Sequence, residues 1–88
     1  MAERTVTLTN KRGLHARASA RFVTLAAGLG ASVEVEKDGS KVTGTSIMGL
    51  MMLGAAVGDS ITIRAEGEGA EEAVAALTQL VEDKFGEE

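Results

Sequence analysis

One stretch of the chain gathers residue types able to do chemistry: Asn10-Lys11-Arg12-Gly13-Leu14-His15-Ala16-Arg17-Ala18, which holds the only histidine. A polar loop ends in Gly-Leu-His, and the alanine-rich run after it predicts a helix from about Ala16. A helix start leaves its first N–H groups without partners and carries the positive end of the dipole, so it can hold an anion such as a phosphoryl group. The backbone N–H of Ala16 is one such donor. Arg17, on the first turn, adds a permanent cation whose fork of donors matches phosphate oxygens. These positive features disfavour a protonated ring and leave His15 a neutral nucleophile, which can accept a phosphoryl group. The plainer alternative is a histidine that merely caps a helix.

A second motif, Ser46-Ile47-Met48-Gly49-Leu50-Met51-Met52-Leu53-Gly54, reads as a short helix with a serine N-cap and a glycine C-cap. A capping serine is worth about 1 kcal/mol and needs no other role. The helix is apolar nearly all round, and on so small a protein some of Ile47, Met48, Met51 and Met52 must face solvent. Adaptable methionines beside a reactive residue make a docking surface for partners, although core packing is the competing explanation for any one of them.

Together, Gly13-Leu14-His15-Ala16-Arg17 and Ser46-Ile47-Met48-Gly49-Leu50-Met51 resemble the HPr family, the histidine-containing phosphocarriers of the bacterial phosphoenolpyruvate-dependent phosphotransferase system. The likeness spans nearly the whole chain. It implies a carrier, not an enzyme with its own substrate: His15 takes a phosphoryl group from enzyme I, at Nδ1, and gives it to a IIA domain, with Arg17 and the Ala16 N–H neutralising the charge. It further implies that Ser46 is a regulatory site for an HPr kinase/phosphorylase, and that partners dock on the first and second helices, at Ala20, Ile47, Met48, Met51 and Met52. No cofactor is implied. The family commonly has proline after the arginine, where this chain has Ala18; alanine restores a backbone N–H and loosens the first turn. Two other readings stay open: a carrier of the nitrogen-related regulatory branch, and a module whose His15 and Arg17 bind an anion or partner without accepting phosphate.

The elements that must position these residues follow from patterning. Thr5-Val6-Thr7-Leu8-Thr9 alternates as a half-buried strand, as do Ser32–Glu36, Ser40–Thr43 and Ser60–Glu66, with Asp38-Gly39 marking a hairpin between the middle two. Ala18, Phe22, Leu25, Ala26 and Leu29 recur at helical spacing, giving a helix over Ala16–Ala27 closed at Gly28. Ala70, Ala73, Val74, Leu77, Leu80, Val81 and Phe85 form one stripe on a last helix, with Glu71 and Glu72 in its first turn where the dipole favours them. Every strand has one apolar face. That predicts an α+β fold, a four-stranded antiparallel sheet with three helices on one face in the order βαββαβα, and excludes a doubly wound parallel sheet. The family resemblance implies the same open-faced sandwich.

Eighty-eight residues make one domain, 1–88, with no cysteine for disulfides or thiolate sites and too few histidines for a histidine metal site. No segment reads as a signal peptide or a membrane span, which predicts a cytoplasmic protein, and nothing calls for an oligomer, so a monomer is expected. The net charge is −4. Five of nine basic residues (Arg4, Lys11, Arg12, Arg17, Arg21) fall in the first 21 positions, and eight of thirteen acids lie from Glu66 onward. A locally positive His15 end suits a phosphoryl group and an acidic partner. With neither Trp nor Tyr to stack bases, nucleic acid is not the expected ligand.

Overall fold

The computed structural model describes residues 1–87; Glu88, counted above among the acids, lies outside the described residues. The elements run β1 (Ala2–Thr7), α1 (Ala16–Ala27), β2 (Ser32–Lys37), β3 (Ser40–Thr43), α2 (Ile47–Met52), β4 (Ser60–Glu66) and α3 (Ala70–Glu82), followed by a terminal 3₁₀ turn (Lys84–Gly86). The order βαββαβα and the antiparallel sheet are as the patterning requires. All pairs are antiparallel, in the spatial order β1-β4-β2-β3.

Register explains which face is covered. Val6 stands opposite Ile61, Val35 opposite Ile63 and Val33 opposite Ala65, and all six are buried on the helix side. Phe22 of α1, Leu50 of α2 and Leu77 of α3 close over them, fully buried. Each such side chain contributes about 1.5–3 kcal/mol of apolar burial. The other face stays polar: Thr5 bonds Thr62 at 2.9 Å, Thr7 bonds Ser60 at 3.1 Å, and Arg64 donates to Glu3 at 2.8 Å. Asp38 and Gly39 both take positive φ, 52° and 86°, as a two-residue hairpin turn demands.

Beyond a one-residue extension of β2 to Lys37, three boundaries differ from the sequence reading. β1 is shifted toward the N-terminus: it begins at Ala2 and ends at Thr7, because pairing with β4 extends a segment whose own pattern is too polar to announce a strand. Leu8 and Thr9 follow the strand, although Leu8 is fully buried. α2 ends one residue before its cap, Leu53, and Gly54 supplies the left-handed residue beyond it, at φ +65°.

The third difference matters for the site. The stripe ending in Phe85 is not one helix. α3 stops at Glu82, and Lys84 and Phe85 both adopt φ +56°, a left-handed conformation that costs an L-residue about 1–2 kcal/mol each. Phe85 is fully buried, and its ring burial offsets much of that cost. Arg21 donates from Nη1 to the Phe85 carbonyl, and Gly86 N–H to Asp83 O at 2.9 Å. The reversal turns the chain back toward the start of α1.

Candidate functional site

The loop between β1 and α1 is pinned to the loop before β4. Leu8 N–H donates to Asp59 O at 2.9 Å, Gly58 N–H to Leu8 O at 2.8 Å, and Leu14 N–H to Ala55 O at 3.0 Å. Gly13, at φ +61°, lies so close to that loop that a Cβ there would sit 2.4 Å from Ala55 O. The next residue, Leu14, is buried, so the chain enters α1 in a fixed direction.

His15 is the N-cap of α1, with φ −76° and ψ −176°. Its Nδ1 accepts the Arg17 backbone N–H at 3.3 Å. An amide can only donate, so Nδ1 carries its lone pair, and that lone pair points at the helix start. On the other side of the ring, Nε2 donates to the Glu87 carboxylate. The two contacts specify one neutral tautomer, protonated at Nε2. The side chains of His15 and Glu87 are 17% and 16% exposed, so the ring is partly covered yet open to solvent. Arg17 is exposed, and among the described residues no salt bridge holds its guanidinium. Ala16 is exposed beside it. Ala18 is fully buried, and the helix begins at Ala16 without a proline to set it.

Asn10 and Glu87 have no assigned role in the sequence reading. Asn10 is fully buried; its Nδ2 donates to Gly13 O at 2.8 Å and to Glu87 Oε1 at 3.1 Å. An asparagine three residues before a left-handed glycine is a readable turn signal. Glu87 offers none, being 72 residues from His15 and one of many late acids. Its arrival also corrects the charge map. The His15 end carries a carboxylate, while Arg4 sits in β1 opposite Ile63, beside Glu71 and Val74 of α3 rather than in the His15 loop.

Burial pushes the Glu87 carboxyl up, but hydrogen bonds from His15 and Asn10, with the nearby positive charge of Arg12, outweigh it and hold the group below the usual carboxylate range. The unfolded chain therefore binds this proton more readily. The contact stabilises the fold above the ordinary carboxylate range, and that contribution fades as the pH falls through the lowered value. The melting-temperature gap between this chain and Glu87→Gln should be widest near pH 7 and close toward about pH 3. A gap independent of pH would show that the carboxylate charge contributes nothing.

Ser46 caps α2 as its position suggested, accepting the Gly49 N–H at 3.0 Å. Ser46→Ala should cost about 1 kcal/mol, a fall of about 4–8 °C in Tm for a domain of this size, read by thermal melting; an unchanged Tm would mean that water replaces the cap. In α2 only Leu50 is buried. Ile47 is 40%, Met48 70%, Met51 41% and Met52 80% exposed, which settles core against surface for these four. α2 packs against α1, where Ala20 is half-buried. Ala20 and Arg17 line an open groove of about 750 Å³ that continues past Leu25 and Leu80 to Phe85. Among the described residues no three His, Cys, Asp or Glu side chains converge as metal ligands, and no helix is long and apolar enough to cross a membrane.

Comparison with known proteins bears on this arrangement. A family model described as PTS HPr component phosphorylation site matches residues 2–83. The phosphocarrier protein HPr of Cupriavidus necator is 42% identical over 87 residues, 99% of this chain and 98% of that one. The phosphocarrier protein NPr of Shewanella violacea is 39% identical over 85 residues, covering 97% and 93%. Among solved structures, HPr from Thermoanaerobacter tengcongensis superposes with a TM-score of 0.95 at 49% identity, over 100% of this chain and 99% of that one.

Proposed function

The chain belongs to the HPr family of phosphocarriers, which are group carriers and not enzymes, and on that premise we propose that His15 accepts a phosphoryl group from phospho-enzyme I and passes it to a IIA domain. The observation that carries the reading is the unprotonated Nδ1, held at the start of α1 by the Arg17 N–H, beside a guanidinium that no salt bridge holds among the described residues. In the transfer, the Nδ1 lone pair forms a new P–N bond as the donor's P–N bond breaks, its electron pair returning to the donor ring. The Arg17 N–H, released from Nδ1 by a weak 3.3 Å contact, turns to a phosphoryl oxygen together with the Ala16 N–H and the Arg17 side chain. One phosphohistidine replaces another, so the exchange is nearly isoenergetic and depends on positioning more than on a powerful catalytic apparatus.

The acidic partner would meet Arg17 and the apolar patch of Ala20, Ile47, Met48, Met51 and Met52. A phosphate on Ser46, placed by an HPr kinase/phosphorylase, would sit at the α2 N-terminus and add about two negative charges next to that patch. It would repel an acidic partner without unfolding the helix. In this reading residues 1–88 work as a single cytoplasmic domain.

Incubation with enzyme I and labelled phosphoenolpyruvate tests the proposal. The chain should acquire acid-labile, base-stable label and lose it to a IIA domain; absence of label would leave His15 and Arg17 as an anion-binding pair only. The likeness to an NPr keeps a second circuit in view, the nitrogen-related branch. Sugar-system and nitrogen-related IIA proteins, offered separately, decide between them by which one discharges the label. For Ser46, HPr kinase and ATP should give acid-stable label that Ser46→Ala lacks, and an unlabelled wild type would dismiss the site.

A further inference from the structure

The contact least anticipated by the sequence joins the C-terminal segment to the reacting ring. Glu87 Oε2 takes the Nε2–H of His15, while Oε1 is held by Asn10 Nδ2 at 3.1 Å. Asn10 is fully buried and anchored to Gly13 O at 2.8 Å, in the same loop that delivers His15. The carboxylate thus has a fixed seat on both oxygens, unlike a surface acid that happens to swing past. The seat also has a cost in backbone conformation, the two left-handed residues Lys84 and Phe85 that bring the chain back.

We propose that Glu87 is a positioning residue for phosphoryl transfer: by accepting Nε2–H it holds the Nδ1 lone pair at the start of α1 and stabilises the positive charge that grows on the ring as the P–N bond forms. The inference rests on the phosphocarrier reading above. No proton leaves the ring in this step. Nε2 keeps its hydrogen, the ring becomes a phosphoimidazolium, and the carboxylate across the hydrogen bond balances it. The phosphoryl oxygens are on the opposite side of the ring, toward Ala16 and Arg17, so the carboxylate lies nearer to the developing cation than to the incoming anion. An opposite charge in direct contact favours the charged form of a group by about ten- to a thousandfold, and the lower end of that range is expected here because the site is open to solvent.

The test uses the full chain and its Glu87→Gln, Glu87→Ala and Glu87→Asp variants. In the unphosphorylated protein, proton NMR should show a slowly exchanging Nε2–H in the wild type that Glu87→Ala loses; its absence in the wild type would overturn the proposal without touching the carrier reading. With phospho-enzyme I in excess, the maximal rate of label uptake by Glu87→Gln should fall about tenfold, with the KM for the carrier unchanged and part of the rate restored in Glu87→Asp. An unaltered maximal rate, or a change confined to KM, would make Glu87 a docking or structural residue and overturn the proposal. A wild type that takes no label at all would overturn both readings together.

Discussion

His15→Ala should take up no phosphoryl group from phospho-enzyme I under conditions that fully label the wild type. The chain has no second histidine, no cysteine and no Gly-rich nucleotide cradle to take over, so the loss should be complete rather than partial. Folding should survive. Losing an N-cap costs about 0.5–2 kcal/mol, against the 5–15 kcal/mol typical of a folded domain, and none of the large core side chains is touched. Parallel circular-dichroism melting and acid-labile labelling separate the two effects: a folded, unlabelled variant is the expected pair of results. Residual label above background would place the acceptor elsewhere.

Gly13→Ala should produce the largest loss of stability of any single methyl addition near the site. A left-handed backbone costs an alanine about 1–2 kcal/mol, and the added Cβ would lie 2.4 Å from Ala55 O and 2.7 Å from Ala56 Cα. Both neighbours are backbone, so no side chain can swing aside. Forcing them apart adds about 1–3 kcal/mol and breaks the Leu14 N–H to Ala55 O bond, giving about 2–5 kcal/mol in all. Gly39→Ala is the internal comparison. Gly39 has φ +86° but nothing within 4 Å of its would-be Cβ, so only the conformational cost applies. Urea unfolding should rank Gly13→Ala well below Gly39→Ala, and label uptake should slow only in the former. Equal losses would show that the loop yields without strain.

The strands and helices were legible where one face had to be apolar. Ser60–Glu66 and Ala16–Ala27 match their sequence boundaries because alternation and helical spacing end abruptly at turn residues. The start of β1 was hidden, since Ala2, Glu3 and Arg4 join the sheet through the ladder with β4 and not through a hydrophobic pattern. Phe85 kept the helical spacing of its neighbours but belongs to a left-handed reversal, a decision made by core packing. At the site, His15, Arg17 and Ser46 carried local signals of helix starts. Glu87 carried none, because its role is a contact across 72 residues that only the folded chain creates. For the same reason a linear count of charges shows a locally positive His15 end but not the carboxylate seated on the ring.

The pairing of β1 with β4 has a consequence for how the protein comes into being. Thr5 meets Thr62 across a separation of 57 residues, and the loop bearing His15 is fastened to Ala55 and Asp59. A nascent chain that has left the ribosome only as far as β3 holds its histidine on an unfastened segment, and loop closure over such spans slows folding relative to a helical bundle. On the proposed reading, competence to carry phosphate arrives late in synthesis, after β4 has emerged and paired with β1.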